Sequence, residues 1–379
     1  MKLICTQENL NKAINIVGKI INKNTTLPIL NNILLKTEKR RLKLTSTNLE
    51  LGVDYWIGGK IEKEGEITIP TKLFSSFISS IPNGNVEMDL KGDVLSIKCE
   101  GYKTNIKGMD AKEYPLTPKI EMKPIFKIKS FDFKQALLQV LPAVSNSESR
   151  IEITGVFMDL SKLDKNKIIL VATDSYRLAE KTLTLEKENI NKETVSLLKD
   201  INSVIVPKNT VQEIVRDLGN EDEMVEITIS ENQILFSFGN ASVISRIIEG
   251  KYPDYKQIIP SKFEADVIVE IDEIVKAIKV ASLFVNISSN SIELKLLPKS
   301  KTLEINAETS EIGSNRSKIS AEIKGKELAV IYNYKYLIDG FNSLSGDKAI
   351  LKINSGGMPT VLSSGTDKSF SYVIMSIRA

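Results

Sequence analysis

Apolar positions along the chain fall into two helical stripes, and each stripe occurs three times. The first is Leu10, Ala13, Ile14 and Val17, then Phe133, Ala136, Leu137 and Val140, then Ile274, Ala277, Ile278 and Ala281, at offsets of 123 and 141 residues. The second is Phe74, Phe77, Ile78 and Ile81, then Val211, Ile214, Val215 and Leu218, then Leu337, Gly340, Phe341 and Leu344, at offsets of 137 and 126. The i, i+3, i+4, i+7 spacing lines one face of an α-helix. A single stripe of this kind belongs to any core helix, but six in the same order imply three like modules. Their period is far longer than that of a solenoid unit, so each module can fold around its own core.

Between the stripes the pattern changes to alternation and β-branched runs. Residues 33–37 with 42–45, 156–160 with 168–172, and 292–297 with 303–307 read as hairpins, and each module opens on a short strand such as 2–5 or 267–271. Thr6, Ser130 or Asp132, and Asp272 are suitable caps for the first helix of each module. The second helix follows Pro70 or Pro207 in two modules and stops at Pro82-Asn83-Gly84, Gly219-Asn220 and Ser345-Gly346. Thr47-Asn48 and Thr173-Asp174 occupy equivalent corners. Two modules close on Glu113-Tyr114-Pro115 and Lys251-Tyr252-Pro253, and the third ends in Tyr372-Val373-Ile374-Met375-Ser376-Ile377-Arg378-Ala379. The modules are therefore expected at 1–121, 122–256 and 257–379. Strands outnumber helices, so each is expected to be an α+β unit of two antiparallel sheets with two helices on one side.

Charge and composition narrow the function. Basic and acidic side chains number 51 and 48, a net charge of only +3, so contact with nucleic acid must use a local basic surface. Cys5 and Cys99 are isolated, which fits a reducing compartment. Residues 1–10 lack the apolar core of a signal peptide and no stretch approaches a membrane span, so a cytoplasmic protein with no membrane contact is expected. Histidine is absent, which removes Ser-His-Asp, Cys-His and histidine-based zinc sites. No GxGxxG or Walker A pattern occurs, and Gly18-Lys19 reads as a helix end. An enzyme would have to rely on carboxylates such as Asp159 and Asp174, and Asp174 has a simpler role as a turn residue. The expectation is a binding protein rather than an enzyme, with no metal or cofactor.

Four dispersed phrases carry a family resemblance. Thr26-Leu27-Pro28-Ile29-Leu30-Asn31-Asn32-Ile33-Leu34-Leu35, Ala172-Thr173-Asp174-Ser175-Tyr176-Arg177-Leu178-Ala179, Tyr252-Pro253-Asp254-Tyr255 and Tyr372-Val373-Ile374-Met375 stand in collinear order over the whole chain. Together they resemble the bacterial DNA polymerase III beta subunits, the sliding clamps. The resemblance implies a homodimer closed head to tail into a ring of six modules, with helices lining a hole that holds duplex DNA. It implies as partners the polymerase III catalytic subunit, the clamp loader, other polymerases and mismatch-repair proteins. A repeat scaffold that binds peptides without encircling DNA is the alternative, and only the resemblance separates the two.

Three sets of residues follow. The lysines on the striped helices and their ends, Lys12, Lys19, Lys23, Lys72, Lys134, Lys208, Lys276, Lys279 and Lys335, together with Arg150, are the expected DNA-facing cations; by pattern alone they also read as ordinary solvated faces. In the resemblance, partners insert a short apolar peptide between the second and third modules. The matching positions are Ile153, Thr173, Tyr176, Arg177, Leu178, Pro253, Ile258, Val373, Ile374, Met375, Ser376, Ile377 and Arg378, whose aliphatic members read equally as core. Tyr176, Ser376 and Ala379 stand where the family often has histidine, proline and leucine. Ile106, Leu283 and Phe284 match the dimer seam, where the alternative is again internal core.

Overall fold

The computed structural model describes residues 1–21, 27–115, 120–197, 201–219, 223–285, 290–311 and 313–378. Seven α-helices occur among them: α1 (Gln7–Val17), α2 (Thr71–Ser80), α3 (Ser130–Val140), α4 (Lys192–Leu197), α5 (Lys208–Asp217), α6 (Ile271–Ala281) and α7 (Tyr334–Asn342). All but α4 carry the predicted stripes, and the stripe residues are buried apart from Phe77, Val215 and Leu344, which are half-buried. Each fully buried aliphatic side chain contributes about 1.5–3 kcal/mol of transfer free energy, which outweighs the weak helix propensity of these short segments. Thr6 caps α1, accepting from Asn9 N at 3.4 Å. The other expected caps, Ser130, Asp132 and Asp272, fall inside their helices: α6 starts at Ile271 with Glu270 before it, and α3 starts at Ser130. The strand before α6 ends at Glu270, one residue sooner than the sequence suggested, so the chain turns into helix earlier.

Gly340 breaks the aliphatic stripe of α7 for a packing reason. A Cβ there would lie 2.8 Å from two ring carbons of Tyr372 and 3.3 Å from Leu362 Cδ2. Glycine lets the helix approach the fully buried Tyr372.

The chain divides into two compact units. The first comprises Met1–Phe131, Lys187–Asp200 and Gln212–Ile247; the second comprises Asp132–Glu186, Ile201–Val211 and Ile248–Ala379. The first unit holds a five-stranded antiparallel sheet in the order Lys60–Lys63, Lys2–Thr6, Asn85–Lys91, Val94–Cys99, Tyr102–Lys107. Its second sheet has eight strands: Phe126–Lys129, Met224–Ile229, Gln233–Phe238, Ala241–Arg246, Leu51–Gly58, Arg41–Thr47, Asn32–Glu38, Glu66–Pro70. The second unit holds nine strands in the order Ser203–Pro207, Gly155–Asp159, Lys167–Thr173, Arg177–Thr184, Phe370–Met375, Pro359–Ser364, Lys348–Ile353, Ala265–Glu270, Glu322–Gly325. Its other sheet has four: Gly313–Ser320, Thr302–Thr309, Ser291–Leu297, Leu328–Asn333.

The expected hairpins pair as predicted, for example Leu35↔Leu44, Met158↔Leu170 and Leu294↔Ile305. The central module's two sheets run on into its neighbours. Ala241–Arg246 pairs with Leu51–Gly58, with Val243 opposite Val53, and Arg177–Thr184 pairs with Phe370–Met375, with Leu178 opposite Val373. Strand pairing across module boundaries satisfies backbone groups that would otherwise form exposed edges. Gly313–Ser320 and Tyr102–Lys107, eight and six residues long, are edge strands that pair on one side only among the described residues, as do the shorter Lys60–Lys63, Ser203–Pro207 and Glu322–Gly325.

Candidate peptide-docking corner and basic helices

The corner after the strand Lys167–Thr173 is built from side chains that replace backbone partners. Thr173 Oγ1 donates to Arg177 O at 2.6 Å and accepts from Ser175 N at 3.1 Å. Asp174 Oδ1 accepts from Tyr176 N and Arg177 N, both at 3.0 Å, as an aspartate in a turn does. Ser175 is held at φ 76°. The turn thus thrusts Tyr176 outward, 63% exposed, while Met375 N donates to Tyr176 O at 2.8 Å and ties the final strand to the corner.

Beneath the corner lies an apolar floor. Ile153, Leu178, Val373, Tyr252 and Tyr255 belong to one buried cluster, and Phe157 stacks on Tyr252 with ring centroids 4.6 Å apart. Ile153, Leu178, Val373 and Ile374 are therefore core, as their aliphatic character allowed, and support the surface from below instead of lining it. Burial pushes the hydroxyls of Tyr252 and Tyr255 above their usual pKa range, so both stay neutral. Tyr176, Ile258, Ile377 and Met358 present exposed apolar surface. Pro253 and Met375 are half-buried, Arg378 is exposed, and Ser376 is buried with its hydroxyl donating to Met358 O at 3.0 Å. Ala379 lies outside the described residues.

Arg177 occupies a place the sequence did not indicate. Its side chain is only 11% exposed; Nε donates to Asp174 Oδ2 at 2.9 Å and a terminal nitrogen donates to Asp339 Oδ2 at 2.5 Å. The guanidinium lies 4.3 Å from the Tyr336 ring centroid and reaches the Tyr372 hydroxyl at 3.4 Å. Burial opposes its charge, but Tyr372, Asp339 and Asp174 together hold its pKa above the ordinary arginine value. A guanidinium committed in this way positions the corner between two strands and α7. Both oxygens of Asp174 are likewise spent on the turn and on Arg177. The other carboxylate considered for chemistry, Asp159, is buried and accepts from Ser161 N at 2.9 Å.

The cationic residues have unequal surroundings. Lys12 on α1, Lys72 on α2, Lys276 and Lys279 on α6 and Lys335 on α7 are exposed and form no ion pair among the described residues. Lys134 on α3 is half-buried. Lys208, at the start of α5, donates to Asn146 Oδ1 at 2.5 Å, and burial, then repulsion from Arg177, lowers its pKa. Arg150 pairs with Glu152 at 2.9 Å and also donates to Ser175 Oγ at 3.3 Å. Lys23 lies outside the described residues.

Lys19 stands 3.5 Å from Asp217, whose side chain is 1% exposed. Neither carboxylate oxygen accepts a close hydrogen bond, and burial raises the Asp217 pKa from 3.8 to about 6. Burial likewise raises Glu213, although Arg216 donates to its other oxygen.

Three family models match the chain in sequence order: the N-terminal domain of the DNA polymerase III beta subunit over residues 1–118, its central domain over 127–254 and its C-terminal domain over 256–378. The chain belongs to the DNA polymerase III beta subunit family. It is 28% identical over 393 residues to the beta sliding clamp of Synechocystis sp., covering 100% of this chain and 99% of that one. It is 28% identical to the beta sliding clamp of Staphylococcus epidermidis, covering 95% and 94%. The solved DNA polymerase sliding clamp from Bacillus subtilis superposes with a TM-score of 0.92 at 27% identity, covering 100% and 99%.

The three residues expected at a dimer seam have different surroundings. Leu283 is 70% exposed and Phe284 half-exposed, in a turn that packs beside the edge strand Gly313–Ser320. Ile106 is only 2% exposed, because alternation along Tyr102–Lys107 turns it inward opposite Leu95; the expectation that its side chain meets a second chain is corrected. Met358, Phe157, Tyr252 and Tyr255 were missed as parts of the corner. The Gly356-Gly357-Met358-Pro359 run was the available signal: two glycines at φ 71° and 80° turn a methionine out of a polar loop.

Proposed function

We propose that this chain is the processivity clamp of a replicative polymerase: two copies join head to tail around duplex DNA, and partner proteins dock at the Tyr176 corner. The pairing of sheet edges is the observation that carries the ring. Inside each chain, strands from adjacent modules complete sheets of eight and nine strands. The remaining sheets, of five and four, have edges at Tyr102–Lys107 and Gly313–Ser320; their opposite edges are the four-residue Lys60–Lys63 and Leu328–Asn333, which bridges to Ile377. Joining the first edge to the second edge of another copy makes a nine-stranded sheet, the size of the larger continuous one. A contact between two different surfaces closes only when its rotation fits a ring, and family membership supports that closure. Leu283 and Phe284 flank this seam, and Ile106 contributes through its strand backbone.

The proposed DNA contact is diffuse. Exposed lysines on α1, α2, α6 and α7 attract phosphates without reading bases, so the ring is held by topology and still slides. The tethering corner offers exposed apolar rim residues above a rigid floor, suited to a short apolar peptide. Polymerase III catalytic subunit, clamp loader and repair factors are the proposed bearers of such peptides. Module boundaries near 121 and 256 and a cytoplasmic location belong to the same reading, which requires no chemistry at Asp159 or Asp174.

Replacing Leu283 and Phe284 with lysine places two charges at the seam and tests the ring. Sedimentation equilibrium should then report a folded monomer in place of the parent dimer. An unchanged dimer mass with native circular dichroism would remove the seam assignment.

A further inference from the structure

Two turns of this chain share one construction, 126 residues apart. Thr47 Oγ1 donates to Leu51 O at 3.0 Å and accepts from Leu49 N at 3.1 Å, as Thr173 does toward Arg177 and Ser175. Asn48 Oδ1 accepts from Glu50 N at 3.1 Å and Leu51 N at 2.8 Å, as Asp174 does toward Tyr176 and Arg177. Leu49 is at φ 77° where Ser175 is at 76°. Arg246 N donates to Glu50 O at 2.9 Å where Met375 N donates to Tyr176 O at 2.8 Å. Each turn also has a Tyr-Pro phrase, Tyr114-Pro115 and Tyr252-Pro253, and the Tyr114 hydroxyl accepts from Thr47 N at 3.2 Å. The frame of the docking corner therefore occurs once in each compact unit.

The side chains on the first frame differ and line an open cavity of about 330 Å³. Leu49, Leu51, Pro115 and Ile244 give it apolar walls, and Glu50 and Arg246 also line it and are exposed. Leu49 is 51% exposed in a left-handed conformation that disfavours a side chain, where its twin is a serine. Arg246 takes the place of Met375, is exposed, and forms no ion pair among the described residues.

We propose that this cavity is a second peptide-docking site, taking an extended segment that lays an aliphatic side chain on Leu49 and Ile244 and a neighbouring aspartate or glutamate on Arg246. Charge complementarity selects the acidic ligand: an exposed guanidinium without a carboxylate partner forms its strongest contacts with a bidentate carboxylate. Glu50 repels acid from the turn side, which confines the ligand's carboxylate to the Arg246 side. The two corners would then select different partners, apolar peptides at Tyr176 and acidic-aliphatic ones here. This inference takes from the proposed function only the class of ligand.

A fluorescein-labelled hexapeptide, Gly-Leu-Asp-Leu-Asp-Gly, titrated with the full-length protein by anisotropy, tests it. The parent should bind; Arg246→Ala and Leu49→Asp, checked for native circular dichroism, should each weaken binding about tenfold. Tyr176→Ala damages only the other corner, so the hexapeptide should still bind. Arg246→Glu should exchange preference toward Gly-Leu-Lys-Leu-Lys-Gly. No binding by the parent would overturn the proposal. So would loss in Tyr176→Ala with none in Arg246→Ala, a result that places the peptide at the other corner and leaves the reading of that corner standing.

Discussion

Asp217→Asn isolates the most exposed cost in the fold's electrostatics. The Asp217 carboxyl is buried near the end of α5 with Lys19 at 3.5 Å and no close hydrogen bond to either oxygen. Burial raises its pKa from 3.8 to about 6, with Glu213 adding to the rise and Lys19 and Arg216 opposing it. A carboxyl whose folded pKa lies above its unfolded pKa binds more protons when folded. It therefore adds stability as pH falls through about 6, and the gain is complete below about 3.8. From these two values the gain between pH 8 and pH 5 is about 1.4 kcal/mol, and the asparagine variant lacks it. The single tryptophan, Trp56, sits in the eight-stranded sheet of the same compact unit, so its fluorescence during urea unfolding reports the relevant region. At fixed protein concentration, the urea-midpoint difference between parent and variant should change by roughly half a molar between pH 8 and pH 5. Other titrating groups largely cancel in this difference, since only Asp217 is altered. An identical difference at both pH values would refute the reasoning that burial governs this group.

Three further outcomes follow from the geometry. Changing Lys12, Lys72, Lys276 and Lys335 to glutamine should flatten the log–log salt dependence of DNA retention by up to about 0.9 per lysine without creating base preference; an unaltered slope would mean that these helices do not face phosphate. Deleting residues 375–379 removes the Met375 N–H bond to Tyr176 and the Ser376 bond to Met358; anisotropy with a labelled Gln- and Leu-containing polymerase peptide should show at least about tenfold weaker binding, while undiminished affinity would place partners elsewhere. Gly340→Ala drives a Cβ to 2.8 Å from the Tyr372 ring, so overpacking of about 1–3 kcal/mol should exceed the roughly 1 kcal/mol gained in helix propensity and lower the melting temperature; a raised one would contradict the packing account.

The stripes were legible in the sequence because a 3.6-residue period is a local signal, and burial preserved it even where Gly340 replaced an aliphatic. The hairpins were legible for the same reason. The continuation of the central module's sheets into its neighbours was not: the pairing of Val243 with Val53 or Leu178 with Val373 joins positions far apart and leaves no periodic trace. Residue type also misdirects at long side chains. Arg177 matches a pocket position, yet two carboxylates and a tyrosine ring hold its side chain, and Lys19 is expected to face DNA while Asp217 stands 3.5 Å from it. Ile106 matched a seam by type, and only the alternation of its strand shows that it faces inward.

A closed ring around duplex DNA is linked to it topologically, and only a circle retains such a link. The protein should be loaded onto nicked circular plasmid by a clamp loader and passed through a gel-filtration column, and the plasmid then linearised with a single-cutting nuclease. A closed ring should co-elute with the circle at a salt concentration that defeats simple phosphate attraction, and be released once free ends are made. Retention that is the same on circular and linear DNA, or absent from both, would contradict the ring.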